Sequence, residues 1–336
     1  MKYTLSDIFI VPAPISVINS RSECIPTYKN GMLPLFTAPM SSVVNLSNYE
    51  LFNKNGIQSI LPRTVSLTDR KNICKKNWCA FSLNEFEDIC NSDEFESVNE
   101  FYVLIDIANG HMMKLHNLIR QAKEKYGNKI KIMAGNIANP ETYRLLSDAG
   151  ADFIRLGIGT GNACITSSNT SIHYPIASLI KECSEISDKL EKPAYIVADG
   201  GVKGYSDIIK CLALGADYVM CGYIFAKMAE SAGEFANCYN YDEAIHNLKS
   251  SLKVYKKYYG MSTKKAQIEI NGCATKTSEG IEKIIEVEYT MEQWIDNFKD
   301  YLKSAMSYCS MYELHEFIGN PEIITVTTNS HFAINK

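Results

Sequence analysis

Short apolar runs rich in β-branched and aromatic residues recur along this chain, each followed by room for a helix. They fall at residues 33–38, 58–61, 79–83, 102–107, 131–135, 153–157, 195–198 and 218–221. Between them, helical periodicity marks 111–125, 140–149, 176–190 and 206–214, the last expected to be capped by Ser206 and stopped by Gly215. Near-continuous apolar strands alternating with helices belong to a parallel sheet covered on both faces. Eight such units in succession predict an α/β fold of the closed (β/α)8-barrel type rather than an open doubly wound sheet.

Three segments lie outside that alternation. Residues 1–30 carry an apolar stretch at 8–11 before Pro12 and Pro14, and are expected to cover one barrel end. Residues 228–289 read as an expanded connection with a flap after the eighth strand, a length that suggests function. Residues 290–336 read as a C-terminal helical segment, with a helix over 291–308. No Gly/Ser-rich linker, acidic run or inserted regulatory module divides the chain, so one catalytic domain over 1–336 is expected.

Composition narrows the function. Of 336 residues, 46% are hydrophobic and 21% charged, enough for a large core and against disorder. The net charge of −4 argues against a nucleic-acid partner, which needs a basic stripe. No apolar run reaches the roughly 18 residues of a membrane span, so no membrane partner is expected. An acid, Asp7, stands where a signal peptide would place its apolar stretch. The eleven cysteines are scattered without C-x-x-C pairs, which reads as reduced thiols in a cytoplasmic protein. The six histidines include no H-x-x-x-H spacing for zinc, and His111 and His116 read as surface residues.

In a barrel of this kind the active site forms where the strands end, at their carboxyl termini. The sixth strand runs into Gly157-Ile158-Gly159-Thr160-Gly161-Asn162-Ala163-Cys164-Ile165-Thr166. Glycines at alternate positions let backbone amides and carbonyls turn toward a ligand or ion. A thiol held among such amides is a candidate nucleophile, so Cys164 is singled out from the other ten. Asp199-Gly200-Gly201 follows the seventh strand and Gly222-Tyr223 the eighth, the two places where barrels often bind phosphate. Asp199 beside them suits sugar hydroxyls.

These segments resemble the inosine monophosphate dehydrogenase and guanosine monophosphate reductase family over nearly the whole chain. The likeness runs through Leu5-Ser6-Asp7-Ile8-Phe9-Ile10-Val11-Pro12, Ser20-Arg21-Ser22, Ala38-Pro39-Met40 and Asp106-Ile107-Ala108-Asn109-Gly110. It continues through Ala134-Gly135-Asn136, the loop at 159–166, Ala198-Asp199-Gly200-Gly201, Val219-Met220-Cys221-Gly222 and Tyr259-Gly260-Met261-Ser262. The resemblance implies that Cys164 attacks C2 of a purine nucleotide and that Asp199 holds its ribose. It places Gly201, Gly222, Tyr223 and Tyr258 around the phosphate, and Met40, Asn136 and Met261 beside the nucleotide. Asn162, Gly200, Gly260 and Ser262 join that substrate set. Asp106, Ala108, Asn109, Arg63 and Lys276 are implied on the nicotinamide-cofactor side. Backbone carbonyls of Gly159, Gly161 and Cys164 match the family's monovalent-cation site, occupied by potassium. A homotetramer is implied as well.

Within the family, the stretch between Met261 and Glu279 is short and lacks the Arg-Tyr pair with which a dehydrogenase activates water. Thr166 and Glu279 match the reductase's threonine–glutamate pair, which protonates departing ammonia. The resemblance therefore implies NADPH-dependent reduction of GMP to IMP. IMP oxidation, and a nucleotide-binding homologue without turnover, are the alternatives. Four positions depart from the family pattern: Thr160 replaces proline, Asn162 serine, Ser167 arginine, and Ile281 the lysine of many reductases.

Overall fold

The structure is a computed structural model describing residues 1–274 and 277–327. Its centre is a ring of eight parallel strands: β1 Leu35–Thr37, β2 Ile60–Leu61, β3 Trp78–Phe81, β4 Phe101–Asp106, β5 Ile130–Ile137, β6 Phe153–Leu156, β7 Tyr195–Asp199 and β8 Tyr218–Cys221. Each pairs with the next in sequence from β2 to β8, and β8 returns to β1 with Leu35 opposite Val219. Phe36 bridges Gln58 in parallel, and the Thr37 amide donates to the Gln58 carbonyl at 2.9 Å. That contact closes the (β/α)8 barrel between β1 and β2.

The strands form because their residues are apolar on both faces; all of β1 and β3 is buried. Inward side chains from alternating positions, including Phe36, Trp78, Leu104, Met133, Val197 and Met220, make one interior cluster. The rings of Phe36, Trp78 and Phe153 meet edge to face, their centroids 5.1 to 6.0 Å apart. A ring like that of Phe36, wholly withdrawn from water, contributes about 2 kcal/mol. The barrel is thus a packed core and not a pore, so a ligand must sit on its end.

Helices α1 Tyr49–Lys54, α2 Leu67–Ile73, α3 Leu83–Asn91, α4 Met113–Tyr126, α5 Pro140–Asp148, α6 Ile176–Ser187 and α7 Tyr205–Ala213 follow the first seven strands, and α8 Met291–Tyr308 packs against α7. The expected cap of α7 needs correcting. Gly204, in extended backbone, is the cap, and Ser206 lies inside the first turn. The Asp207 carboxylate accepts the Lys203 amide at 2.8 Å, and the helix starts two residues before a Ser206 cap would place it.

The eighth connection is long. Its strand Tyr255–Tyr259 pairs antiparallel with Glu282–Glu286, Tyr259 opposite Glu282, and helix Lys264–Asn271 lies between them. Between those strands, Gly260, Met261, Ser262 and Glu279 come back to the carboxyl end of the barrel. Of residues 1–30, Ile8–Ile10 pairs with Ile323–Thr325 beside α7, where Lys210 donates to the Leu5 carbonyl at 2.9 Å. Farther on, Tyr28 reaches the amino end of the barrel and donates to the Asp217 carbonyl at 2.6 Å. Among the described residues, no helix is long and apolar enough to cross a membrane.

Candidate active site

The loops at the carboxyl ends of the strands surround one cleft of about 600 Å³. Its floor is the loop after β6. Gly159 has a φ of +70°, and a Cβ there would lie 1.5 Å from the Ser167 hydroxyl, so only glycine lets this loop fold onto helix Thr166–Thr170. Ser167, where the family has arginine, leaves that close approach open and donates to the Ile158 carbonyl at 3.1 Å. Thr160 stitches the loop to β7. Its hydroxyl donates to the Asp199 carbonyl at 2.8 Å, and its own carbonyl accepts the Gly201 amide at 2.8 Å. A proline at 160 has no hydroxyl for the first of these bonds.

Cys164 is half-buried and lines the cleft. Its amide donates to the Gly161 carbonyl at 3.0 Å, and its thiol points to the Thr166 hydroxyl at 3.2 Å. Thr166 in turn donates to the Glu279 carboxylate at 2.6 Å. The hydroxyl therefore accepts from sulfur and donates to oxygen, the arrangement a proton relay requires. Glu279 arrives from 113 residues away along the chain because Cys164 and Gly280 form an antiparallel bridge. The Ile165 amide donates to the Glu279 carbonyl at 2.9 Å, and that of Ile281 to the Ala163 carbonyl at 3.0 Å. A Cβ on Gly280 would stand 3.1 Å from the Ala163 carbonyl oxygen, so glycine permits this approach.

The wall opposite carries charge. Asp199, at the end of β7, accepts from the Asn136 side-chain amide at 2.7 Å and from Arg155 at 2.9 Å. A register irregularity in β5 between Gly135 and Ile137 accompanies the turn of Asn136 toward the cleft. Arg155 also holds Asp106, at the end of β4, at 2.7 Å. Burial opposes the Arg155 charge, but Asp199 and Asp106 outweigh it and hold the guanidinium above its usual pKa. Arg155 was not among the residues singled out by sequence. The available signal was a full charge inside the apolar run Phe153-Ile154-Arg155-Leu156.

The cost of losing that cation is measurable. In Arg155→Met, two inward carboxylates lose their shared partner, which should lower the unfolding free energy by about 3 kcal/mol. Arg144, half-exposed and paired with Glu141 and Asp148 on α5, makes the control, and its methionine variant should be destabilised far less. Urea midpoints that move equally for the two variants would contradict the clamp.

Met40 and Tyr258 close one end of the cleft. A Cβ on Gly222 would come within 3.0 Å of the Met40 sulfur and 3.7 Å of the Tyr258 hydroxyl oxygen, so Gly222 lies just behind this wall. The Tyr223 and Tyr258 rings meet at 5.5 Å. Burial, with Asp199 and Tyr223 nearby, raises the Tyr258 hydroxyl well above its ordinary pKa, so it stays a neutral donor at physiological pH. Across the cleft lie Arg63, Asp106 and Ala108. The Arg63 Nε is buried without a hydrogen-bond partner.

Gly200, Gly260, Met261 and Ser262 also line the cleft, as do Gly159 and Gly161. Gln267, Ile270 and Asn271, on the helix between the hairpin strands, line it too and had no recognisable sequence signal. Besides Gly222, four residues expected at the site stand off its wall. Gly201 faces a neighbouring cavity, and Tyr223 is reached through Tyr258. The Asn162 carbonyl accepts from Lys283 at 3.2 Å, and the exposed Asn109 caps the His111 amide at 3.1 Å. Lys276 lies outside the described residues. Among those described, no group of three His, Cys, Asp or Glu side chains is set to hold a metal.

Residues 88–333 match the family model described as IMP dehydrogenase / GMP reductase domain. The chain belongs to this family. A GMP reductase of Staphylococcus saprophyticus subsp. saprophyticus is 30% identical over 327 residues, covering 93% of this chain and 92% of that one. A GMP reductase of Lactobacillus delbrueckii subsp. bulgaricus is 28% identical over 327 residues, 93% of this chain and 91% of that one. An inosine-5'-monophosphate dehydrogenase of Chlorobaculum parvum is 32% identical over 238 residues, 67% of this chain but 45% of the dehydrogenase. This member of the IMP dehydrogenase / GMP reductase family is an oxidoreductase, and the barrel read from its apolar periodicity is the barrel found.

Proposed function

We propose that the chain catalyses the reductive deamination of GMP to IMP and ammonia with NADPH. The hydrogen-bonded series Cys164–Thr166–Glu279 carries this reading. Asp199 would hold the ribose, with Asn136 and Arg155 fixing the carboxylate, and Tyr223 and Tyr258 would receive the phosphate beside Gly201 and Gly222. Cys164 adds to C2 of the purine as its proton passes through Thr166 to Glu279. Glu279 then protonates the 2-amino group, the C2–N bond breaks to release ammonia, and C2 stays bonded to the Cys164 sulfur as a thioimidate. The nicotinamide, when bound, supplies a hydride to C2. As the carbon–sulfur bond breaks, the thiolate leaves and takes up a proton, restoring Cys164.

The residues present fit a phosphorylated, ribose-bearing cofactor on the side of Arg63, Asp106 and Ala108, with Asn109 at its margin. The unpartnered Arg63 nitrogen supports that placement, because a buried guanidinium needs an acceptor. Carbonyls of Gly159, Gly161 and Cys164 suit a potassium ion, since alkali cations take neutral oxygen ligands. A homotetramer is part of the same proposal, to be checked by light scattering. All eleven cysteines are unpaired, which supports a cytoplasmic setting.

A second reading, NAD-dependent oxidation of IMP, draws on the dehydrogenase relative. Against it stands the stretch between Met261 and Glu279, which has no Arg-Tyr pair to activate water. The deciding experiment pairs each purine monophosphate with each nicotinamide cofactor in potassium buffer. GMP should consume NADPH with one ammonia released per turnover. NADH formation from IMP, with no reaction of GMP, would reverse the assignment.

A further inference from the structure

Lys256 is a buried cation that the mechanism above does not use. It is 1% exposed, on strand Tyr255–Tyr259, and two residues before Tyr258. Side chains two apart on a strand point to the same side, about 7 Å from one another. Lys256 and Tyr258 therefore both face inward, while Lys257 faces solvent. The Lys256 ammonium donates to the carbonyls of Ser231 at 2.6 Å and Ala229 at 2.7 Å, and to the Ser231 hydroxyl at 3.0 Å. The Met228 carbonyl lies at 3.4 Å, and the Phe235 ring covers the ammonium at 4.4 Å. No carboxylate pairs with it among the described residues.

Those acceptors belong to the turn that follows helix Tyr223–Ala226. The turn is fixed to that helix in its own right, since the Ser231 hydroxyl donates to the Ala226 carbonyl at 2.9 Å. One ammonium thus fastens the segment that begins at Gly222-Tyr223 to the strand that carries Tyr258. Tyr258 sits at the end of the cleft and Tyr223 packs behind it, their ring centroids 5.5 Å apart. Burying an unpaired charge is costly, and an apolar side chain of the same length would fill the space without that cost. A cation kept here is therefore explained by the geometry it enforces.

We propose that Lys256 is a positioning residue for nucleotide binding, holding the Tyr223 and Tyr258 segments at the separation that accepts the substrate's phosphate. This rests on the reading that those tyrosines receive the phosphate. Burial pulls the lysine down to about 7, and the nearby Glu230 carboxylate opposes that fall.

The test compares wild type with Lys256→Met and Ser231→Ala, measuring dissociation constants for GMP and for guanosine, and KM and kcat for GMP. Losing a buried charge-assisted set of bonds should raise KM and Kd for GMP at least about tenfold, with kcat changed less than about threefold. Affinity for guanosine, which has no phosphate, should stay within about twofold. Ser231→Ala, a smaller change that removes one acceptor, should raise the GMP constants about threefold. If Lys256→Met does not fold, Ser231→Ala decides alone, and no rise in its GMP constants overturns the proposal. A wild type that binds GMP no better than guanosine overturns the phosphate reading itself, and the positioning role with it. A wild type that prefers GMP, with variants that keep that preference, overturns the positioning role alone.

Discussion

In a Cys164→Ala variant, NADPH consumption with GMP is expected to fall by at least about a thousandfold, because the covalent route disappears. The hydride cannot usefully reach C2 while the amine is still attached, since no group then carries the carbon through amine loss. Binding should survive: removing one sulfur from a cleft of about 600 Å³ leaves in place the residues proposed to hold the ribose and phosphate. A GMP dissociation constant within about threefold of wild type would separate the chemical role from a structural one. A variant retaining a tenth of wild-type turnover would end the nucleophile assignment.

The second large effect concerns the proton. Glu279→Gln keeps the shape of the carboxylate and a carbonyl oxygen for Thr166, but cannot hand over a proton. Turnover of GMP should drop by about a hundredfold to a thousandfold, the range for losing a positioned general acid. A nucleotide with chlorine at C2 provides the control, because chloride leaves without protonation. Its reaction with Cys164, followed as the mass of the covalent adduct, should proceed in Glu279→Gln within about fivefold of wild type. Equal losses with both substrates would make Glu279 a support for the 164–166 loop and not an acid.

The two variants probe one geometric fact. Thr166 can connect Cys164 and Glu279 only while Gly280 bridges Cys164. Nothing in the local sequence around 279 indicates that contact. It depends on the hairpin formed by Tyr255–Tyr259 and Glu282–Glu286, whose register is settled by cross-strand pairing over the barrel end. Arg155 is a similar case. Read locally, it is an arginine interrupting an apolar strand; in the barrel it joins the carboxylate of the adjacent strand β7 to that of β4, two strands away on the other side.

What the sequence determined by itself was the alternation: eight apolar runs, the helices between them, and hence the barrel and the end of it on which chemistry happens. Those features follow from short-range periodicity and from the need to bury both faces of a parallel sheet. The glycine-framed cysteine after β6 and the Asp-Gly-Gly after β7 were legible for the same reason, since each sits directly on a strand end. Only the tertiary structure decided which loops meet. It drew Glu279 onto Thr166, put Arg155 between Asp106 and Asp199, set Gly201 and Asn162 off the cleft wall, and locked Lys256 beneath the tyrosines. Such contacts arise from closing the barrel and folding a long excursion over its rim, and no local pattern of residues encodes distances between segments that far apart.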